Sequence, residues 1–116
     1  PFASEFPLAL SISPVAHVGD LPSLDDRQRD DLASMLVDVF DRLDRLFDEP
    51  LPYMMWINQR PFDGTLLSAW LSIDIVSPWR QRQLPRFIAA AEIGAGEYFN
   101  PVVPEDVAAR LRDLSR

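Results

Sequence analysis

Residues Ser23–Phe47 read SLDDRQRDDLASMLVDVFDRLDRLF, and the fold follows from how this stretch is patterned. Leu32, Leu36, Val39, Phe40, Leu43, Leu46 and Phe47 recur every three or four residues, which puts them on one stripe of an α-helix. Asp30, Asp31, Asp38, Asp41, Arg42, Asp44, Arg45 and Asp48 lie mainly off that stripe, so the acidic run reads as a solvated helix face. Ser23 and Asp26 have the spacing of a capping box, and Asp41 and Arg45 are placed for an i,i+4 pair. The expected helix runs from this cap to about Phe47.

Strand patterns flank the helix. In Phe6–Ser13, Leu8, Leu10 and Ile12 alternate with smaller residues between Pro7 and Pro14, as a strand requires. Downstream, Leu51-Pro52 breaks the chain before a short strand, Tyr53–Ile57, and Pro61-Phe62-Asp63-Gly64 has the composition of a turn. Trp70–Val76 is a buried strand with Leu71, Ile73 and Ile75 on one face and Trp70, Ser72 and Asp74 on the other. A second helix is predicted over Leu84–Ile93, closed by Gly94 and Gly96, and a third from Pro104, held by Val107 and Leu111. The fold class is therefore α+β: an antiparallel sheet packed by one long helix and two shorter ones. Only about three strands can be found, and so small a sheet leaves a face and edges that call for covering by a further element.

Composition sets the outer limits. A chain of 116 residues makes one domain. The net charge of -7 argues against binding a nucleic-acid backbone, which needs clustered cations. There is no cysteine, hence no disulfide, thiolate or cysteine–zinc chemistry, and the 11 basic residues are all arginine, which removes lysine-based mechanisms. No apolar run reaches the ~18 residues of a membrane span and no leader pattern is visible, so the cytoplasm is the expected location. A chain starting at Pro1 without an initiator methionine is expected to be a fragment.

Few groups could carry chemistry. His17 is the only histidine, and alone it reads as a structural loop residue. Asp74 sits between Ile73 and Ile75; it is either on an exposed face or in a polar site, because unpaired burial costs several kcal/mol. Asn58-Gln59-Arg60 could grip a phosphate or a sugar, or be a plain solvated loop. Arg80, Arg82 and Arg86 straddle the expected start of the second helix, where they would form an anion site. Glu92, six residues beyond Arg86, is too far for an i,i+4 pair and faces either a ligand or water. No nucleophile elbow, Walker A loop or GxGxxG fingerprint is present.

The order of these pieces resembles the second domain of galactose-1-phosphate uridylyltransferases. The opening PFASEFPLALSISPVAHVGDLPSLDDRQRDDLA carries the likeness at Pro1, Phe2, Phe6, Pro7, Pro14, His17, Val18, Leu24, Asp25, Asp31, Leu32 and Ala33. PYMMWINQRPFDG, Pro52–Gly64, is similar to the family's Pro-Tyr…His-Gly/Gln-Ala-Pro segment, and Arg86–Leu114 to its EMGAG…IN…PEEAAERLR ending.

This resemblance implies two histidine-triad-like domains, each a half-barrel-like antiparallel sheet carrying helices. The first supplies a His-Pro-His nucleophile that attacks the α-phosphate of UDP-glucose. It forms a uridylylated histidine and passes the uridylyl group to galactose 1-phosphate. It further implies zinc in the first domain, zinc or iron on histidines of the second, and a sugar-phosphate site often completed across a homodimer.

This chain departs from that pattern. It has no His-Pro-His, so the catalytic half would be a missing N-terminal domain or chain, with zinc expected only there. By the same resemblance the metal-binding histidine falls on Asn58 and the histidine-bearing strand on Trp70–Asp74, where Ser72 and Asp74 stand instead. No metal or other cofactor is therefore expected in this chain. The substrate-binding positions that the likeness and the residues together nominate are Asn58, Gln59, Arg60, Ser72, Asp74, Arg86, Glu92 and Tyr98, with no catalytic residue among them. The alternative is a diverged, non-catalytic nucleotide- or sugar-phosphate-binding or interaction domain. Nothing suggests a nucleic-acid or membrane partner.

Overall fold

In the computed structural model, residues 4–64 and 68–115 are described; the Pro1-Phe2 pair of the opening motif lies outside them. The amphipathic stretch forms helix α1, Asp26–Leu46. Its capping box is made by Asp25 and Gln28 rather than by Ser23: Gln28 N donates to Asp25 Oδ1 at 2.7 Å, and Asp25 N donates to Gln28 Oε1 at 3.0 Å. Ser23 ends a 3-10 turn, Leu21–Ser23, where its N–H is already given to Asp20 Oδ1 at 2.9 Å. Two aspartates thus share the work expected of one serine, as aspartate is an equally good cap.

All three predicted strands form, each shifted or shortened at its ends: β1 is Leu8–Ile12, β2 is Met54–Asn58 and β3 is Ser72–Ser77. They make an antiparallel sheet in the order β1-β3-β2. Leu10 and Met55 lie opposite Ile75, and Ile12 and Ile57 opposite Ile73. Residues directly opposite share a face, and α1 covers this one. Leu8, Leu43, Leu46, Leu51, Ile73 and Ile75 are buried together, with Leu32, Leu36, Val39, Phe40 and Phe47 against them. The whole predicted stripe of α1 therefore lies in the core. A smaller cluster of Val18, Leu24 and Leu71 closes the sheet near the start of α1.

The second helix corrects the sequence reading most. Trp79–Gln81 and Leu84–Pro85 pair as a small hairpin, β4 and β5, and helix α2 spans only Ala90–Ala95. Pro85 accounts for the difference: it disfavours the helical conformation at Leu84, pushing that residue into extended backbone. The tip of the hairpin turns on Gln83, at φ 57, and is held by Glu49, which accepts Arg82 Nε at 2.8 Å and Gln83 Nε2 at 2.8 Å. Arg80 and Arg82 therefore belong to a hairpin, and the expected three-arginine anion site at a helix start does not form. Gly94 lies inside α2, whereas Gly96, at φ 69, ends it.

Helix α3, Pro104–Asp113, begins where predicted, and Val107 and Leu111 pack on the core. Helices α1 and α3 each have a C-terminal carbonyl met by an arginine of the other. Arg110 Nη2 donates to Leu46 O at 3.0 Å, and Arg42 Nη1 donates to Leu111 O at 3.0 Å, the placement that favours cations at helix ends. Among the described residues no helix is long and apolar enough to cross a membrane.

Candidate functional site

The face of the sheet turned away from α1 carries the polar groups. Strand alternation puts Ser72 and Asp74 on it, and the register brings Asn58 opposite Ser72 and Trp56 opposite Asp74. Asn58 Nδ2 donates to Asp74 Oδ2 at 2.6 Å and to Ser72 Oγ at 3.0 Å, so three of the predicted residues form one cluster. Trp70 lies ahead of β3. Its Nε1 donates to Pro14 O at 3.0 Å, and its ring stands edge-on to His17 at 4.9 Å between centroids. His17 Nε2 in turn donates to Ala69 O at 3.0 Å. The lone histidine thus fastens the loop after β1 to the segment before β3.

The cluster does not suit the metal ion that the resemblance implies for these positions. Zinc and iron sites want imidazole or thiolate lone pairs converging on one point. Here the centre is filled by the N–H bonds of an amide, and the one carboxylate accepts from it. Among the described residues no group of three His, Asp or Glu side chains could hold a metal.

Gln59 and Arg60 are brought elsewhere. Gln59 Oε1 accepts Leu21 N at 2.9 Å. Arg60 pairs with Asp20 through Nε, donates from Nη2 to Ser23 Oγ at 3.2 Å, and gives its N–H to Gly19 O at 2.8 Å. The Ser23 contacts above all, with the Arg60 guanidinium, hold the Asp20 carboxyl below its usual range against the opposing effect of burial. Both residues therefore latch the end of β2 to the turn that starts α1. Gly19 permits the latch, because a Cβ there would stand 2.9 Å from Arg60 Cδ. Gly19→Ala is expected to cost about 1 kcal/mol by displacing Arg60; urea unfolding checks this, and an unchanged midpoint would mean the latch carries no stability.

Arg86 and Glu92 find each other across the loop before α2. Arg86 Nη2 donates to Glu92 Oε1 at 2.6 Å, with side-chain exposures of 9% and 2%. Glu92 Oε2 accepts Ala89 N at 2.7 Å and Oε1 accepts Phe99 N at 3.3 Å, while Arg86 Nη1 donates to Phe99 O at 2.9 Å. The guanidinium also lies over the Phe6 ring, 5.6 Å from its centroid. The Ala89 N–H foremost, with the Arg86 contact and against the cost of burial, holds the Glu92 carboxyl below its usual range. Glu92 therefore faces neither open ligand space nor water. Tyr98, on the following segment, is exposed.

Sequence reasoning did not single out Trp56, Asp20 or Glu49. Trp56 was legible in principle, being two residues before Asn58 and so on its face. The two acids meet arginines 40 and 33 residues away, for which local spacing gives no signal.

Together, the α+β fold and the mapped positions define a domain class that comparison with known proteins makes specific. Residues 1–116 match the family described as "Galactose-1-phosphate uridyl transferase, C-terminal domain". The chain belongs to that family. It is 34% identical over 115 residues to the galactose-1-phosphate uridylyltransferase of Thermotoga maritima, covering 97% of this chain and 36% of that protein. Among solved structures, a uridylyltransferase mutant superposes with a TM-score of 0.86 at 29% identity over 98% of this chain and 38% of the other. An ADP-glucose phosphorylase from Arabidopsis thaliana with bound ADP-glucose gives a TM-score of 0.80 at 30% identity, over 99% and 36% respectively. The chain spans about a third of the length of the relatives it matches.

Proposed function

We propose that this chain is the C-terminal part of a nucleotidyltransferase of the galactose-1-phosphate uridylyltransferase type. In this reading it shapes the nucleotide-sugar and sugar-phosphate site, while the histidine nucleophile comes from an N-terminal histidine-triad-like domain or chain. The observation that carries it is the match of the entire chain to the terminal third of such enzymes. Among the described residues no nucleophile stands beside a histidine base, since the one histidine is committed to Ala69 O. Its part would be positioning: an open polar sheet face and an exposed Tyr98 at the edge of a segment fixed by Arg86 and Glu92. Any zinc would belong to the N-terminal part. The relatives' names join a nucleotide to a hexose in both cases, uridylyl in one and ADP-glucose in the other, which supports reading the substrate as a nucleotide sugar rather than as one particular sugar or base.

The test uses the full gene product. Incubation with UDP-glucose or ADP-glucose labelled in the α-phosphate is expected to leave label on a histidine outside these 116 residues, with release of glucose 1-phosphate. Absence of any labelled histidine, in a product that folds, would sink the transferase reading. A second reading, a binding domain without catalysis, draws on one observation: every nominated side chain except Tyr98 already makes a hydrogen bond within the chain. Nucleotide-sugar binding without labelling would favour it. Tyr98→Ala is expected to raise KM for the hexose phosphate about tenfold, which is 1.4 kcal/mol of lost binding, with melting unchanged. An unaltered KM would remove Tyr98 from the site.

A further inference from the structure

We infer that Asn58, Ser72 and Asp74 form a metal-independent clip that fastens the edge of the sheet at the positions where the resemblance implies metal ligands. The inference goes beyond the proposed function and does not depend on activity.

Four observations carry it. First, the three side chains come from two strands whose register sets Asn58 opposite Ser72, with Asp74 two residues further along β3. A bond among them therefore closes β2 onto β3. Second, one amide nitrogen reaches both partners, at 2.6 Å to Asp74 Oδ2 and 3.0 Å to Ser72 Oγ. A bond to an ionised carboxylate is of the stronger, charge-assisted kind. Third, the polarity is wrong for a cation. The amide presents hydrogens where a metal needs lone pairs, so an ion entering the cluster would have to break both bonds and turn the amide over. One carboxylate, one amide and one hydroxyl also make a weak donor set for zinc or iron. Fourth, the single imidazole of the chain is held on Ala69 O and against Trp70, so it does not complete a set.

The clip has a task to do. Within the described residues β2 is hydrogen-bonded to β3 alone, and all five of its residues are exposed. Asn58 is its last residue, where an edge strand would fray first. The clip and the Gln59–Arg60 latch lie next to each other in the chain, so the same end of β2 is tied once to the central strand and once to the turn before α1.

The experiment combines metal analysis with melting of the full chain. Protein purified without chelator is expected to hold the same zinc and iron per chain as the triple variant Asn58→Ala/Ser72→Ala/Asp74→Ala, since any zinc of the N-terminal part lies elsewhere. Hydrogen exchange at the β2 amides is expected to be the same whether EDTA, Zn2+ or neither is added. Asn58→Ala is expected to lower the melting temperature by about 5 °C and to speed hydrogen exchange at the β2 amides while leaving those of α3 unchanged. Zinc or iron lost from the triple variant, or exchange at the β2 amides that quickens when EDTA is added to the parent, would overturn the inference. So would an Asn58→Ala chain that melts and exchanges like the parent.

Discussion

Glu92→Ala is expected to lower the melting temperature by on the order of 10 °C, the largest effect of any single charged residue in the chain. The loss exceeds one ion pair. Without the carboxylate, the N–H groups of Ala89 and Phe99 lose their acceptor, and the Arg86 guanidinium stays largely enclosed with only Phe99 O and the Phe6 ring for company. Arg86→Ala is expected to cost less, since Glu92 keeps its two backbone donors. The double variant is expected to fall well short of the sum, because the two side chains form one unit. Strict additivity in the four melting curves would show that the pair is not coupled.

The same carboxylate gives the chain an acid-sensitive term. Its pKa is depressed in the folded state, so its contribution is fully present above the ordinary value of 4.5 and is lost as pH falls through the folded value. Asp20 and Glu49 are depressed too, Asp20 chiefly by its bond from Ser23 and Glu49 by Arg82 and then Gln83, and they act in the same direction. Stability is therefore expected to drop on acidification below about pH 4.5, and Glu92→Gln to flatten that drop. An acid limb identical in the variant and the parent would assign it to other groups.

Leu43→Ala is the second large effect, expected at about 3 kcal/mol by urea or thermal unfolding. Leu43 is 1% exposed and sits where α1 meets the middle of the sheet, against Leu8, Ile73 and Ile75. Truncation leaves a cavity that the close-packed sheet cannot collapse to fill. Met35, on the same helix but 48% exposed, provides the contrast: Met35→Ala is expected to stay within about 0.5 kcal/mol. Equal losses at the two positions would mean that α1 does not lie on the sheet by the face described.

These two cases show why some of the molecule could be read from sequence and some could not. Leu43 belongs to a period that only a helix satisfies, and its burial follows from that period alone. The alternation of Leu71, Ile73 and Ile75 was as direct, and it delivered Ser72 and Asp74 to a common face. The partner of Asp74 was a different matter: Asn58 reaches it only through the pairing register of two strands, which no local pattern encodes. Glu92 and Arg86 failed for the opposite reason. A helix over Leu84–Ile93, closed by Gly94 and Gly96, would hold Arg86 and Glu92 six residues apart on one element. Pro85 extends the backbone instead, and Phe87, Ile88 and Ile93 are mostly exposed. Once Arg86 lies on a loop, a separation of six residues no longer keeps it from Glu92. The latch of Arg60 to Asp20 was out of reach because tertiary folding alone brings those loops together.

The edge strand carries a built-in reporter. Met54 and Met55 are neighbours, so their thioethers lie on opposite faces of the sheet, Met54 with Trp56 and Met55 with the α1 side; they are 54% and 43% exposed. Peroxide converts an accessible thioether to the sulfoxide. In the isolated chain both are expected to oxidise readily, with Met35 on α1 as an internal standard. In a longer protein, slowing at Met54 alone would place the covering element on the polar face, and slowing at Met55 alone would place it beside α1. Two adjacent sulfur atoms thus turn a mass spectrum into a map of which side of the sheet its neighbour occupies.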